Sequence, residues 1–600
     1  MWSASQGRNQ SEPDLRPRLG ARSHPGSYRS TGPYATAVHL SERHTPGTFA
    51  GATLPSRRRF LPIDYALFSA LTVANVGVVV FGGARWLAKA STVQFGAGYW
   101  LLTALIGGGL LMWEYRWLTL PLMRVPPHVL PQAGLRVAVV TTFVPEAEPQ
   151  PMLATTLEAL VGLSYPHETW VLDEGDDASV RELCARLGAR HFSRKGTSAY
   201  QARTGPFAAR TKHGNYNAWL DAYGFEHYDV LVAFDPDHIP APDFLTQTVG
   251  YLSDPAVGYV QVAQAYYNQE ASFIARGAAE ETYAYYSSMM MVSYAGGSPI
   301  VTGCHTVHRL VALREVGGFA PHDADDLLIT LLYQASGWKG VYVPGIFARG
   351  LTPVDWGGYF RQQRRWGRSV LDIKLRVFPE LAHRLSPRAR LVWFLHGLYY
   401  LHGLATALGI GVLCAALALG RNPTPFAVGG GHFWRGVAIW VAVFLACDLF
   451  RQRFYLAPRI EFGLHVRAGF LRFAKWASSV LALLDAVTGR RTGYTITYKT
   501  SKASFRLATA PHLLTMTAIT GAWVAGKLEG NPQPPLLEIA AAVILVASAA
   551  IVFSELRGFE PPFVPERATA ASRQLQAEAS ARAAPIVPRG APALSSEAEA

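Results

Sequence analysis

The sequence is poor in cysteine and in charge. Its 600 residues contain only 4 cysteines, namely Cys184, Cys304, Cys414 and Cys447. They form no CxxC pair and no zinc-type spacing, so neither a zinc site nor a disulfide framework is predicted. Charged residues make up only 16% of the chain and hydrophobic residues 50%. A soluble enzyme of this length is usually more polar, so apolar membrane spans are expected.

The start of the chain has no apolar stretch of the kind found in a cleavable signal peptide, and the sequence has no internal repeats. Residues 1–57 are rich in Ser, Gly, Pro and Arg, and residues 561–600 are rich in Ala, Pro, Glu and Arg. Such segments cannot bury enough apolar surface to fold alone. Both are therefore predicted to be disordered cytoplasmic tails.

The net charge of +13 is compatible with nucleic acid, anionic lipid or an acidic substrate as a partner. In a membrane protein, Lys and Arg are enriched in cytoplasmic loops for reasons of orientation alone. The expected partner is therefore a lipid bilayer, and no nucleic-acid partner is expected.

Six apolar stretches are candidates for membrane spans, at residues 60–83, 95–113, 391–419, 437–450, 507–524 and 536–553. A helix needs about 20 apolar residues to cross the hydrocarbon layer. With six spans, most of the flanking arginines lie on one side, which predicts a multi-pass inner (plasma) membrane protein with both termini cytoplasmic. The amphipathic segment 468–487 is predicted to lie in the membrane interface. The alternative, a seventh span, would place the two termini on opposite sides and the flanking arginines on both sides of the membrane.

These patterns divide the chain into units. Residues 58–120 are predicted to form two transmembrane helices and residues 121–390 a cytoplasmic domain. Residues 391–560 are predicted to form four transmembrane helices, together with the interfacial helix 468–487. The cytoplasmic block alternates short β-rich runs with helical patterns, which indicates an α/β domain with a mixed, mostly parallel sheet.

Acidic residues follow two of the predicted strands, where ligands of parallel sheets bind. Asp173 follows one strand, and Asp235 and Asp237 follow the apolar run VLVAF. A single Asp in such a place is most often a turn residue or helix cap. Two carboxylates two residues apart, however, are suited to Mg²⁺ or Mn²⁺ held together with substrate phosphates.

Three further motifs each have a structural and a functional interpretation. Lys212 precedes a helical run and could bind phosphate or simply begin a basic helix. The carboxylates of Asp323, Asp325 and Asp326 precede another helix and could cap it or supply a general base. The segment Gln362–Trp366 could hold phosphates and stack on a sugar, or lie on the membrane surface.

Taken in order, these motifs resemble those of the processive family 2 glycosyltransferases, and most closely the cellulose synthase catalytic subunits. The resemblance covers about residues 60–557. The family's VLDDG-like strand end, KxGNxN, DxD, TED, QxxRW and FxVTxK motifs are matched by segments that begin at Val171, Lys212, Asp235, Ala324, Gln362 and Tyr494. The resemblance implies a GT-A-like nucleotide-sugar transferase domain placed among about six membrane helices.

The resemblance also implies a role for each candidate residue. Asp326 would be the general base, and Asp237 would coordinate the metal. Nucleotide or diphosphate contacts would come from Asp173, Lys212, Asp235, Gln362, Arg364 and Arg365. Trp366 would stack on the acceptor sugar, and Thr497 and Lys499 would belong to a gating loop at 490–503.

The sequence departs from the family pattern at three places. Ala324 and Asp325 replace the Thr and Glu of the TED motif, and Tyr494 replaces the gating-loop phenylalanine. The carboxy-terminal tail has no RxxxR signature of a cyclic-di-GMP receptor domain, so that type of regulation is not expected.

The predicted function is processive synthesis of a β-linked glycan, cellulose or a related β-glucan, from a nucleotide sugar, with UDP-glucose as the first choice. The expected partners are the donor, the growing polysaccharide and, in the cell envelope, a periplasmic or cell-surface accessory protein. Hyaluronan, chitin and mannan synthesis remain open, as does non-processive transfer to a lipid. A transport or scaffolding protein with an inactive transferase domain is a further alternative, disfavoured by the intact acidic motifs.

Overall fold

The computed structural model describes residues 55–297, 299–425, 431–490 and 505–583. The first described elements are two long apolar helices, α1 (Pro62–Ala88) and α2 (Gly96–Leu118). Short antiparallel strands β1 (Arg57–Arg58) and β2 (Arg124–Val125) pair across the ends of this helical hairpin. The pairing closes the hairpin where the chain enters the α/β domain.

A seven-stranded sheet forms the centre of the α/β domain. The remaining strands of the chain are β3 (Val137–Phe143), β4 (Glu168–Asp173), β5 (Arg190–Phe192), β6 (Val230–Phe234), β7 (Ile239–Pro240), β8 (Val257–Val262), β9 (Ala265–Tyr266), β10 (Thr306–Arg309), β11 (Lys339–Val343) and β12 (Ala348–Gly350). The order in the large sheet is β11-β8-β10-β6-β3-β4-β5, and only β10 runs antiparallel to its neighbours.

Apolar runs explain why these strands lie at the centre. Every residue of β6 is buried, as is nearly all of β3, because helices cover both faces of the sheet. The covering helices and those that follow are α3 (Gln150–Val161), α4 (Ala178–Leu187), α5 (Lys212–Trp219), α6 (Phe225–His227), α7 (Phe244–Thr248), α8 (Phe273–Ala284), α9 (Met290–Ala295), α10 (Leu310–Glu315), α11 (Asp325–Ala335), α12 (Trp356–Asp372) and α13 (Phe378–Leu381). The mixed, mostly parallel GT-A-like sheet confirms the predicted fold class.

The second half of the chain is helical. Its helices are α14 (Pro387–Leu395), α15 (His402–Leu419), α16 (Gly431–Gln452), α17 (Pro458–Glu461), α18 (Val466–Ala474), α19 (Trp476–Thr488), α20 (Phe505–Leu528), α21 (Pro535–Leu556) and α22 (Pro565–Ala583). Four helical stretches of the described chain are long and apolar enough to cross a membrane: Pro62–Ala88, Gly96–Leu122, Pro387–Leu419 and Pro535–Leu556. The other two predicted spans coincide with α16 and α20.

Two predicted helices are interrupted. The third predicted span breaks between α14 and α15, at Gly397, whose φ of +83° is readily adopted only by glycine. The predicted interfacial helix is also two helices, α18 and α19, which meet at Lys475. They pack against α8 and α12 of the α/β domain and so join it to the membrane helices.

The carboxy-terminal tail differs from its prediction, because part of residues 561–600 is a helix. Its alanine-rich face, with Leu575, packs against Ile239 and Ala241 of the α/β domain. Two ion pairs hold it there, Arg349–Glu578 and Arg582–Asp243, each at 2.8 Å. Composition alone favoured disorder, but small apolar residues at helical spacing allow close packing on a partner surface.

Candidate functional site

A cleft of about 750 Å³ opens at the carboxyl ends of β3, β4 and β6. This edge is where ligands bind in open α/β sheets. The cleft is lined by these predicted site residues: Lys212, Asp235, Asp237, Asp326, Gln362, Arg365 and Trp366. Residues as distant in the chain as Lys212 and Trp366 therefore face one space.

The turn after β6 places two carboxylates and an imidazole together. Asp237 is 2% exposed, and its Oδ2 accepts a hydrogen bond from the Leu351 amide at 3.3 Å. His238 Nδ1 lies 3.3 Å from Asp237 Oδ1. Ligand atoms of Asp235, Asp237 and His238 all lie within 4.8 Å of one another. Carboxylate oxygens with one imidazole fit a hard divalent cation such as Mg²⁺ or Mn²⁺.

Lys212 is the first residue of α5, whose preceding Thr211 caps the helix by accepting a hydrogen bond from Gly214 N at 3.1 Å. The Lys212 ammonium donates to Asp235 Oδ1 and, at 2.9 Å, to the carbonyl of Gly303. One ammonium, one carboxylate and one carbonyl thus meet at one wall of the cleft, where a diphosphate could contact both the ammonium and a carboxylate-bound metal.

Asp325 and Asp326 begin α11, and Ala324 at the N-cap has no side chain that could cap the helix. Asp325 Oδ1 instead accepts from the Asp326 amide at 3.1 Å, and Asp326 Oδ1 accepts from the Leu327 amide at 2.8 Å. Burial, and after it the charge of Asp326, raises the pKa of Asp325 to about 7. Burial likewise raises the pKa of Asp326. A carboxylate whose pKa is raised is a stronger proton acceptor than one at its ordinary value, as a general base requires.

Gly303 brings the opposite wall close to Asp326. It has a φ of +77°, and a Cβ at this position would lie 2.9 Å from Asp326 Oδ2. Only glycine can adopt this positive φ without strain and, having no Cβ, also leave room for the Asp326 carboxylate. The segment Thr302–Gly303 and the start of α11 therefore form a narrow part of the cleft.

Helix α12 carries the QxxRW motif, and the side chains of this segment point in two directions, toward the cleft and toward α19. Gln362, Arg365 and Trp366 line the cleft, and the Trp366 ring is 36% exposed. Arg364 turns away and binds Asp485 Oδ2 of α19 through Nε at 2.9 Å and Nη2 at 2.7 Å. The diphosphate contact predicted for Arg364 is therefore not what this geometry provides; the side chain joins α12 to the membrane-side helices.

Asp173 also lies outside the cleft lining. Its side chain is fully buried and accepts hydrogen bonds from the amides of Gly175 at 2.8 Å and Asp177 at 2.6 Å. His191 Nε2 lies 3.1 Å from its Oδ2. In this geometry Asp173 shapes the loop after β4 and does not line the cleft, and its contact with the nucleotide stays a prediction.

The adjacent Glu174 lines the cleft. Its carboxylate pairs with the fully buried Arg194 at 2.8 Å and accepts the amide of Arg210 at 3.1 Å. Arg194 also donates to the carbonyls of Tyr200 and Ala208, so it fixes the loop that leads to Lys212. The sequence reading missed this arginine, and nothing in its local pattern distinguishes it.

Asp323 and Asp325, which the sequence offered beside Asp326 as candidates for the general base, also line the cleft. Other cleft residues were not among the predicted site residues: Glu146, Glu148, Lys195, Arg210, His238, Gln264, Tyr266, Thr302 and Ser369. His238 could have been found from its position directly after the DxD pair. Thr497 and Lys499 lie outside the described residues, as does the predicted gating loop except for its first position, Arg490.

The GT-A-like sheet and the cleft, with its carboxylate pair, lysine and raised-pKa aspartates, define the class of protein as a nucleotide-sugar transferase domain carried by a membrane protein. Comparisons with known proteins narrow the class. Residues 137–369 match the family described as "Glycosyltransferase like family 2". The chain therefore carries a family 2 glycosyltransferase domain, and the predicted cellulose synthase-like relationship is confirmed.

Two curated relatives illustrate this relationship. The chain is 27% identical over 240 residues to the probable glucomannan 4-beta-mannosyltransferase 3 of Oryza sativa subsp. japonica, covering 38% of this chain and 42% of that protein. It is 24% identical over 315 residues to cellulose synthase 2 of Novacetimonas hansenii, covering 50% of this chain and 19% of that protein. The chain thus spans less than half the length of either relative.

Among solved structures, the mannosyltransferase PcManGT of Pyrobaculum calidifontis, in complex with GDP-Man and Mn²⁺, is similar at 19% identity. The alignment covers 66% of this chain and 99% of that chain, with a TM-score of 0.42.

Proposed function

We propose that this protein is a processive, inverting glycosyltransferase that polymerises a β-linked glycan from a nucleotide sugar and extrudes it across the membrane. The transferase domain and both termini would lie in the cytoplasm, at the inner (plasma) membrane. A β-glucan made from UDP-glucose is the first candidate product. A β-mannan is the second, because relatives named as glucomannan mannosyltransferases match as well as those named cellulose synthase.

One observation carries the proposal. A single cleft contains the carboxylate pair Asp235 and Asp237, the base candidate Asp326 and the acceptor-side Trp366. The helix that bears Trp366 packs directly against α19, the second of the two helices in the predicted interfacial segment. This arrangement supports a donor site and an acceptor site that meet beside the membrane helices, as transfer coupled to extrusion requires.

On the donor side, Asp235, Asp237 and His238 would hold a divalent cation. Bound there, the cation would neutralise charge that develops on the departing nucleoside diphosphate. Lys212 and Arg365 also face the cleft. Their fixed positive charges would bind the diphosphate oxygens and stabilise the same charge without reorganising.

On the acceptor side, Asp326 would take the proton of the attacking sugar hydroxyl. The oxygen would then attack the anomeric carbon opposite the diphosphate, and this single displacement turns an α-linked donor into a β-linked product. Holding donor and acceptor in line supplies much of the rate enhancement. Trp366 would stack on the terminal sugar and keep its hydroxyl near Asp326.

A buried polar cluster, hereafter the junction cluster, lies behind α12. Lys475 Nζ binds both carboxylate oxygens of Glu281, at 2.8 and 2.9 Å, and Gln363 Oε1 at 2.9 Å. Tyr359 and Tyr399 donate to the same carboxylate at 2.6 and 3.1 Å. It ties α8, α12 and α18–α19 together, which supports a fixed orientation of the acceptor site toward the glycan path.

The proposal is tested with sealed inside-out membrane vesicles that contain the protein and are supplied in turn with labelled UDP-glucose, GDP-mannose and UDP-N-acetylglucosamine. The expected result is incorporation from one donor into a polymer that a β-1,4-specific hydrolase degrades. Vesicles with the Asp237→Asn variant are the matched control and should incorporate nothing.

Non-processive transfer to a lipid is distinguished by the size of the product. A brief labelled pulse followed by excess unlabelled donor should move the label into progressively longer chains. Label that stays in an organic-extractable product of one or two sugars would contradict processive synthesis.

A further inference from the structure

A second set of metal-binding side chains lies directly behind the DxD turn. His238 follows β6, while Cys304 and His305 precede β10, the antiparallel neighbour of β6 in the sheet. All three are buried: His238 is 6% exposed and the other two are fully covered. One ligand atom from each lies within 4.8 Å of those of the other two. A thiol and two imidazoles are soft or borderline ligands, unlike the carboxylates of the DxD pair.

His305 is oriented as a metal ligand. Its Nδ1 lies 3.3 Å from the carbonyl oxygen of Ala263, which favours the proton on Nδ1 and leaves the lone pair on Nε2. Among the described residues, the buried Nε2 has no hydrogen-bond partner. An unpaired buried nitrogen is costly unless something occupies its lone pair. The residue also has a φ of +57°, a strained conformation for histidine.

Cys304 has a matching environment. Its Sγ accepts a hydrogen bond from the Asp235 amide at 3.2 Å. This hydrogen bond fixes the sulfur beside the DxD turn, close to both imidazoles. The His238 ring packs edge-on against the His305 ring, with centroids 4.7 Å apart. Three ligands thus converge from two neighbouring strands.

We propose that Cys304, His305 and His238 form a Zn²⁺ site distinct from the carboxylate site for Mg²⁺ or Mn²⁺. Binding forms one Zn–S and two Zn–N bonds and releases the thiol proton to solvent. Three protein ligands leave a fourth position of the tetrahedron for a water molecule or a neighbouring oxygen.

The two sites share His238, and this makes them competitors. The Nε2 edge of the ring faces Gly350, where a Cβ would come within 2.0 Å of Nε2. Nδ1, which lies 3.3 Å from Asp237 Oδ1, is therefore the nitrogen available to either metal. When His238 Nδ1 binds zinc together with Cys304 and His305, it is no longer available to a metal ion held by Asp235 and Asp237. This consequence rests on the proposed function: zinc inhibits sugar transfer, and it does so in competition with Mn²⁺.

The binding experiment does not require activity. The purified full-length protein in detergent is stripped with a chelator, dialysed against Zn²⁺ and analysed for metal content. The expected result is one zinc per chain, with at least tenfold weaker binding in Cys304→Ser and His305→Asn. Asparagine tolerates the left-handed conformation at position 305. Cys184→Ser, which removes another buried cysteine of the same domain, should bind zinc as the unaltered protein does.

A second measurement does not depend on the folding of any variant. Adding Co²⁺ to the unaltered protein should give the near-ultraviolet absorption band of a thiolate bound to cobalt. Absence of this band, or equal zinc content in all four proteins, would overturn the proposal. In the transfer assay, added Mn²⁺ should raise the zinc concentration that halves the rate. Failure to transfer any sugar would count against the proposed function, while the cobalt spectrum would still decide the zinc site.

Discussion

The cleft and the junction cluster both bury carboxylates, but the pKa values of these carboxylates shift in opposite directions. At the junction, burial opposes ionisation of Glu281, yet the charge and hydrogen bonds of Lys475 outweigh it and lower the pKa of Glu281. In the cleft, burial and like charge raise the pKa of Asp325 to about 7 and burial raises that of Asp326. Lys212, the nearest ammonium, is engaged by Asp235 instead.

This difference separates a structural from a chemical use of acidic residues. A carboxylate with a permanent cationic partner stays charged and holds helices together. A carboxyl with a raised pKa and no such partner can exchange a proton at physiological pH.

Replacing Asp326 by Asn should remove the proton acceptor and lower the rate of sugar transfer by about 10²- to 10⁴-fold. The variant should remain in the membrane with an unchanged melting temperature. The matched variant Asp325→Asn should retain measurably more activity, because Asp325 is not the proposed base. If Asp325→Asn is inactive and Asp326→Asn is not, the base is Asp325.

Replacing Glu281 by Gln should leave the Lys475 ammonium buried without its counter-charge and lower the free energy of unfolding by about 3–5 kcal/mol. Thermal unfolding of the detergent-solubilised protein measures this loss. The control is Asp229→Asn, which breaks an exposed ion pair with Arg136 and should cost no more than about 1 kcal/mol. Equal losses would mean that the junction cluster has no special role in stability.

The transfer rate should depend on pH through the cleft carboxyls. The base form of Asp326 is lost as pH falls through its raised pKa, so the rate should fall about tenfold per pH unit below that pKa. A profile of rate against pH, at saturating donor and metal, measures this. A flat profile down to pH 5 would show that the pKa of the base is not raised.

Replacing Trp366 by Ala should lower the yield of polymer several-fold more than the hydrolysis of the donor, because stacking holds the acceptor and not the nucleotide. Measuring released nucleoside diphosphate and incorporated sugar in the same vesicles separates the two effects. A parallel loss of both would remove the acceptor role of Trp366.

The smallest effect is expected at Ala324. A threonine there could cap α11 and stabilise the protein by about 0.5–1 kcal/mol. It would also compete with Asp325 and Asp326 for the amides that these side chains now cap. Thermal unfolding of Ala324→Thr measures the gain, and a destabilised variant would show that this N-cap cannot be improved.

Much of the site could be predicted from local sequence. Asp235 and Asp237 follow a fully apolar strand, and such a strand end must lie at the ligand edge of the sheet. The orientations of Asp173 and Arg364 could not be predicted, because each depends on a partner distant in sequence or on loop geometry. Arg364, for example, meets Asp485 only once α12 packs on α19.

The same reason explains two other differences. Helix α22 forms against Ile239 and Ala241, which no local pattern connects to residues 565–583. The triad His238, Cys304 and His305 comes together only through the pairing of β6 with β10, so cysteine spacing gave no zinc signal. Contacts between distant segments decide these features, whereas motif spacing along one strand or helix decides the rest.

The pulse–chase experiment in sealed inside-out vesicles tests processive synthesis and extrusion together. Label from one nucleotide sugar should enter a β-linked polymer that lengthens during the chase and accumulates inside these vesicles. Label confined to short products outside the vesicles would contradict both processive synthesis and extrusion.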